Sequence, residues 1–300
     1  MLRELRRLSR PDKFFQLIVY IWLFIAGIIV AFPMIYIIAC SFSSTMAIVQ
    51  GKVFIWPVEP SILSYKAVLQ YPLLANGFLN SIFYAAGSTV VAVFILFLAA
   101  YPMSRKDMPD RKLYLTFFVI TMYFSGGIIP SYMLMRNLGL LGSRWALIIG
   151  AGFSCYNMII VKSYFQNSIP SGLLDAAHID GCGDVRFFFT IALPLATPII
   201  AVMVLFNVVG SWNGYFSGML YLSKPNTFNF QMILRDILFI EQMPPDMLAA
   251  MDPEQIAERT SLLQQLRYAV LVVGAAPMLI LYPFIQKYFI RGIMIGSLKE

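Results

Sequence analysis

Long apolar runs alternate with short polar stretches along this chain, and each run has roughly the length of a membrane-crossing helix. About 20 apolar residues in a helix cross about 30 Å of hydrocarbon. The pattern therefore predicts six transmembrane helices with both termini on one side. The runs cover residues 14–40, 80–101, 113–135, 145–161, 191–219 and 268–288.

Composition supports this interpretation. Hydrophobic residues make up 59% of the chain and charged residues 12%, which leaves too little polar surface to cover a soluble core of this size. Because only helices and closed barrels span membranes and the apolar runs are long, we expect an all-α integral membrane protein. No internal repeat or low-complexity linker appears, so residues 1–300 are predicted to form a single domain.

The distribution of basic residues sets the orientation. Fourteen Lys and Arg residues lie at the two termini and in the loops after the second and fourth runs, against eight in the remaining loops. The positive-inside rule places the fourteen, and both termini, in the cytoplasm. The net charge of +7 then reflects anchoring at the ends of apolar runs and indicates contact with membrane lipid rather than nucleic acid. The sizeable outer segments are 41–79 and 220–267.

The loop 168–194 on the cytoplasmic side has its own pattern, SIPSGLLDAAHIDGCGDVRFFFTIALP. Ser168 is predicted to open a short helix with Pro170 in its first turn, and Gly181 ends that helix. Asp184 is predicted to cap a second helix that runs through Phe187–Phe189, an aromatic triplet expected to pack against the ends of the spans. The loop should therefore form a helix, a sharp turn and a second helix.

The spacing D-A-A-x-x-D-G-x6-F-x2-I-x-L-P in this loop resembles the EAA loop of permease subunits of binding-protein-dependent ABC importers. In that family the short helix is a coupling helix that docks in a cleft of a separate ATPase. The chain departs at Asp175, where the family has Glu, and at Cys182, where it has Ala. The resemblance assigns ATPase coupling to Leu173, Leu174, Asp175, Ala176, Ala177, Asp180 and Gly181.

Three further stretches are similar to the second permease subunit of maltose-type carbohydrate importers, in the branch for oligosaccharides and polysaccharide fragments such as alginate. They are 124–148, 205–222 and 282–300. This resemblance implies a type I ABC importer permease fold in a bacterial inner membrane. It also implies four kinds of partner: a second homologous permease, two ATPase subunits, an extracytoplasmic solute-binding protein and a carbohydrate substrate. In such relatives the C-terminal tail reaches between the ATPases.

Catalytic patterns are missing from the sequence. It contains no GxxxxGK[ST] phosphate loop and no HExxH, and its single histidine, His178, is expected to be solvated. We therefore expect a non-catalytic subunit that binds no cofactor, with ATP and Mg²⁺ held by the partner ATPase. Two alternatives stay open: an ABC permease for a peptide, polyol or lipid-linked compound, because the EAA loop is shared across cargo classes, and an intramembrane enzyme.

Polar side chains inside the apolar runs are candidates for the substrate pathway, because burying them in hydrocarbon is costly. Sugars bind aromatic faces and amide groups, and Trp212 next to Asn213 offers both. Hydrogen bonds between helices, or a tryptophan at the membrane interface, would explain each residue equally well. The candidates are Tyr123, Ser125, Asn157, Asn207, Trp212 and Asn213. Separately, Gly126–Gly127 is predicted to break or kink the third span.

Overall fold

The computed structural model describes residues 10–150, 152–239, 266–284 and 286. Within that part of the chain every regular element is a helix, and no strand occurs. The C-terminal tail from 291 onward, to which the resemblance assigns a place between the ATPases in relatives, lies outside the described residues. The all-helical prediction is confirmed.

The described part of the chain divides into two compact units, and the single domain over residues 1–300 stays a prediction. The first unit comprises residues 1–71 and 237–274. Its core joins Ala39, Cys40, Ala47 and Val53. Three helices lie wholly within it: α1 (Arg10–Ser41), α2 (Thr45–Val49) and α3 (Leu63–Gln70).

The second unit comprises residues 72–236 and 275–300. The units are interleaved along the chain, so no linker composition marks their boundary in the sequence. Two helices have residues in both units, α14 (Phe230–Phe239) and α15 (Leu266–Phe284). Those wholly in the second unit are α4 (Pro72–Ser104), α5 (Arg111–Tyr123), α6 (Ile128–Asn137), α7 (Trp145–Gly150), α8 (Cys155–Ser168), α9 (Ser171–Ile179), α10 (Asp184–Phe187), α11 (Leu193–Leu195), α12 (Thr197–Asn213) and α13 (Tyr215–Tyr221), with a π-helix at Phe188–Ala192 and a 3₁₀ helix at Pro225–Thr227.

Three of the described helices are long and apolar enough to cross a membrane: α1 from Pro11, α4 and α15. The count rises to five if each of two bent pairs forms one span, α5 with α6, bent by 111°, and the 184–195 segment with α12, bent by 79°. The first of these breaks falls at the predicted glycine pair, where Gly127 adopts a φ of +83° that disfavours side chains with a Cβ. The predicted run 145–161 is divided between α7 and α8, so six spans stay a prediction.

Helix α4 begins earlier than its apolar run indicates. The sequence prediction starts this span at residue 80, but the helix starts at Pro72, a residue whose fixed φ suits the first helical turn. Leu74 and Gly77 in the added turns are buried. The outer segment 41–79 is therefore shorter as a loop than predicted.

The main core of the second unit forms where α4, α8 and α12 pack together. Leu96 and Phe97 of α4, Met158 and Val161 of α8 and Met203 of α12 are all buried there. This core also takes in Ala177 from the loop 168–194. The loop is thus joined directly to the helix packing.

Candidate functional site

The short helix of the loop is α9, and its N-cap lies two residues later than the sequence predicts. Ser168 is the last residue of α8, not a cap, and Pro170 is the N-cap residue with an extended ψ of 137°. Proline at this point ends one helix, because it lacks an N–H, and its carbonyl accepts the first bond of the next, from Leu173 N at 3.1 Å.

Helix α9 ends in a tight turn at Gly181. Cys182 N donates to the Ala177 carbonyl at 2.8 Å and Gly181 N to the His178 carbonyl at 3.0 Å, which is the hydrogen-bond pattern of a Schellman motif. Gly181 has a φ of +74°. The predicted helix stop at Gly181 is therefore the place where the backbone needs a residue without a Cβ.

One face of α9 is packed and the other is open. Ala177 is 7% exposed in the main core, and Leu174, one turn earlier, is half-buried against it. In contrast, Leu173 is 37% exposed and Ile179 is 87% exposed. Of the seven residues assigned to coupling, the exposed ones are Leu173, Asp175, Ala176, Asp180 and Gly181.

The aromatic triplet ties α9 to the end of α4. Phe187 and Phe188 are buried, whereas Phe189 is 48% exposed. The Tyr101 ring of α4 lies 4.9 Å from the Phe188 ring and 6.4 Å from the Phe187 ring, measured between centroids. Two members of the triplet therefore pack as predicted, and the third does not.

The predicted cap of the second helix is wrong. The N-cap residue of α10 is Gly183, without a side-chain cap bond. The Asp184 carboxylate instead accepts a hydrogen bond from Arg105 Nη1 at 2.8 Å and lies 3.1 Å from His178 Nε2. The carboxylate is therefore bound by the Arg105 guanidinium and the His178 imidazole and not by a backbone N–H group of α10.

Arg105 is a residue of this site that the sequence does not single out. It follows α4 directly and contacts Asp107 and Tyr101 as well as Asp184. Hydrogen bonding to Asp107 raises the pKa of Arg105. The same guanidinium lowers the pKa of Asp107 to about 2, and together with His178 it lowers the pKa of Asp184. The pair Arg105–Asp184 is too far apart in sequence for local spacing to indicate it.

A cleft of about 690 Å³ opens beside α9. Leu174, Asp175 and His178 of α9 line it, together with Arg105 and Lys106 from the loop after α4. The α9 residues that line this mixed-charge cleft differ from the exposed apolar residues Leu173, Ala176 and Ile179.

The six predicted pathway residues are not brought together. Asn207 lines a cavity of about 270 Å³ in the second unit, and its amide nitrogen donates to the Met203 carbonyl at 2.9 Å. The other polar residues of this cavity, which the sequence pattern does not single out, are Tyr84, Ser211, Ser217, Tyr221 and Asn229.

Trp212 packs in a core. It is 2% exposed, with its ring 5.4 Å from the Phe78 ring and 6.1 Å from the Phe230 ring. The Phe230 ring stacks on the indole and the Phe78 ring meets it edge-on, which favours a packing role over the predicted contact with a sugar. The adjacent Asn213 is exposed at the end of α12.

The remaining three candidates lie at helix ends. Tyr123 is 74% exposed at the end of α5. Ser125 accepts a hydrogen bond from Gly127 N at 3.1 Å in the break that follows. Asn157 is half-buried in the first turn of α8, where its N–H donates to Ser154 Oγ. None of the three lines the cavity around Asn207.

Polar side chains of α4 hold the start of the outer loop. Asn80 Nδ2 donates to the carbonyls of Asn226 and Phe228 at 2.9 and 3.0 Å, and Tyr84 donates to the Thr227 carbonyl at 2.7 Å. Because these amide and phenol groups are buried, their hydrogen bonds offset the cost of removing them from water. This part of the outer loop is thus fixed to the bundle.

Comparison with known proteins identifies the architecture. Residues 1–295 match the family described as binding-protein-dependent transport system inner membrane component. The chain belongs to this family. It is therefore an inner-membrane permease component of an ABC transporter, which is a transport subunit and not a catalyst.

The similarity to individual members extends over nearly the whole chain. The polygalacturonan/rhamnogalacturonan transport system permease protein YtcP of Bacillus subtilis is 37% identical over 289 residues, 96% of this chain and 99% of YtcP. Protein LplC of the same organism is 37% identical over 92% of each chain. Among solved structures, a bacterial ABC transporter involved in the import of the acidic polysaccharide alginate superposes with a TM-score of 0.84 at 30% identity, covering 94% of this chain and 99% of that one.

Proposed function

We propose that this chain forms half of the translocation pathway of an importer for oligosaccharides released from polysaccharides, and that it couples the pathway to a separate ATPase through α9. The observation that carries the proposal is the two-faced character of α9. Its inner residue Ala177 belongs to the main core, whereas Leu173, Ala176 and Ile179 are exposed. An exposed apolar helix face suits docking of a partner protein.

In this proposal ATP is hydrolysed by partner subunits and not by this chain. ATP and Mg²⁺ are bound by two ATPase subunits, each of which contacts a short loop helix of one permease. Closure of the ATPase dimer pulls the two loop helices together, and the permeases alternate between inward-facing and outward-facing states by rigid-body movement. In this scheme the loop 168–194 and both termini lie in the cytoplasm, and the solute-binding protein docks on the outer side.

The cargo is a carbohydrate, and oligouronates are the first candidates. Support comes from the names of the relatives, which specify polygalacturonan/rhamnogalacturonan and alginate. The cavity around Asn207 also has the mixed lining that sugars favour, with hydroxyl and amide groups beside the rings of Tyr84 and Phe206. Asn207 is therefore the pathway residue that we place in contact with the sugar.

The direct test is uptake by the complete complex. The chain, its companion permease, the ATPase and the solute-binding protein are reconstituted in proteoliposomes and supplied with labelled tri-galacturonate. We expect ATP-dependent uptake and a rise in ATP hydrolysis that require the sugar. Maltotriose, a neutral sugar of equal length, is the matched control for charge. Stimulation by an oligopeptide with no response to either sugar would refute the carbohydrate assignment.

A further inference from the structure

Arg105 is held as a buried structural cation at the point where α4 meets the loop 168–194. Its side chain is 13% exposed, although arginines in loops are usually solvated. All three guanidinium nitrogens donate: Nε and Nη2 to the two oxygens of Asp107, and Nη1 to Asp184 Oδ1 at 2.8 Å and to the Tyr101 hydroxyl at 3.2 Å. Such a planar, multiply bonded group has one preferred orientation.

The residues that bind Arg105 lie on different elements, so its fixed orientation links those elements. Asp107 holds the fork from the loop after α4, and Tyr101 is in the last turn of α4 itself. Asp184 is the first residue of α10 and also contacts His178 in the last turn of α9. One guanidinium therefore connects the end of α4 with both helices that flank the turn at Gly181.

The apolar contacts at the same place are of a different kind. Tyr101 packs on Phe187 and Phe188, and these contacts hold the loop close to α4 without fixing its angle, because dispersion and hydrophobic contacts have little directionality. Charge-assisted hydrogen bonds to a fork are directional. Removal of the cation would leave the loop attached but free to tilt.

We propose that Arg105 is a positioning residue through which a displacement of α9 is passed to α4 as one rigid movement. The proposal rests on the proposed function, because it assumes that a partner ATPase displaces α9. Loss of the Arg105–Asp184 link should lower the amount of sugar transported per ATP hydrolysed. The permease and the ATPase should stay bound to each other.

The experiment uses the complete complex in proteoliposomes and measures two quantities together, tri-galacturonate taken up and ATP hydrolysed. The variants are Arg105→Gln, Arg105→Lys and Asp184→Asn. Lys112→Gln is the matched control, since it removes an exposed positive charge at the start of α5 on the same predicted side of the membrane. Copurification of the ATPase reports assembly.

We expect the ratio of sugar transported to ATP hydrolysed to fall by about fivefold or more in Arg105→Gln and Asp184→Asn, the lower range of typical coupling effects. Arg105→Lys should lie between these variants and wild type, because an ammonium keeps the charge but not the fork. Lys112→Gln should keep the wild-type ratio. A merely structural role would lower both quantities together and leave their ratio unchanged.

Other outcomes overturn the inference. A wild-type ratio in Asp184→Asn does so, and so does loss of assembly in both Arg105→Gln and Asp184→Asn, because the link would then hold the fold without passing on movement. If the wild-type complex transports no sugar, the proposed function fails. If wild type transports and Arg105→Gln keeps the wild-type ratio, only the positioning role fails.

Discussion

The Tyr101 ring lies 4.9 Å from the Phe188 ring, between centroids, and so brings the end of α4 against the helix that follows α9. Both side chains are buried in the main core of the second unit. That core also contains Ala177 of α9. A short helix with an exposed outer face is therefore continuous, through buried side chains, with a helix of 33 residues.

Two adjacent alanines of α9 should respond to the same substitution in different ways. Ala177 is 7% exposed, whereas Ala176 is on the open face. Ala177→Leu overfills the core and should cost about 1–3 kcal/mol, seen as a lower Tm of the purified permease. Ala176→Leu should leave Tm nearly unchanged and weaken copurification of the ATPase. Equal Tm losses in both variants would contradict the two-faced assignment of α9.

The turn at Gly181 should not tolerate a side chain. A Cβ at this position meets no neighbouring atom within 4 Å, but φ is +74°. The penalty is therefore backbone strain of about 1–2 kcal/mol for an L-residue. Gly181→Val should leave the complex assembled and abolish sugar-stimulated ATP hydrolysis. Gly172→Ala is the matched control, since Gly172 also has open space and lies in a helix with ordinary φ. Normal stimulation in Gly181→Val would refute the role of the turn.

Asn207 and Trp212 should separate sugar contact from packing. Removing one neutral hydrogen bond costs about 1 kcal/mol, so Asn207→Ala should raise the apparent KM for the sugar roughly fivefold. Trp212→Phe should lower Tm and leave KM unchanged, because the indole is buried against Phe78 and Phe230. Transport kinetics give KM and thermal unfolding gives Tm, both measured on the same preparation of each variant. A raised KM in Trp212→Phe with an unchanged KM in Asn207→Ala would instead place the sugar contact at Trp212.

Acid should weaken the contribution of Asp107 to stability. Its pKa falls from the usual 3.8 to about 2 because Arg105 donates to its carboxylate. A depressed pKa stabilises the fold above pH 3.8, and that contribution is lost as the pH falls toward 2. The Tm difference between wild type and Asp107→Asn should therefore be larger at pH 6 than at pH 3. Asp110→Asn is the control, because the Asp110 side chain forms no cap bond. A difference that grows in acid would contradict the assignment.

Several features can be predicted from local sequence because their causes are local. The break at Gly126–Gly127 and the helix end at Gly181 both depend on backbone angles that favour glycine. The all-helical membrane architecture follows from the length of the apolar runs. The EAA spacing predicts that the loop containing α9 is the coupling loop, and that assignment stays a prediction.

Other features depend on contacts between distant segments. Asp184 has the sequence context of a helix cap, but Arg105 arrives from another loop and binds its carboxylate. Trp212 next to Asn213 indicates a sugar site, yet the indole is buried against Phe78 and Phe230. In an apolar run, residue type does not tell which side chains face a cavity and which face a neighbouring helix. Tertiary packing decides that, and one sequence does not contain a separate signal for it.

The central claim is that the open face of α9 contacts a separate ATPase, and Ile179 gives the most direct test. This side chain is 87% exposed, so benzoylphenylalanine in its place reports what lies against the helix. We predict that illumination of the assembled complex joins position 179 covalently to the ATPase subunit. Cross-linking to the solute-binding protein or to lipid, with no ATPase adduct in the assembled complex, would contradict the account.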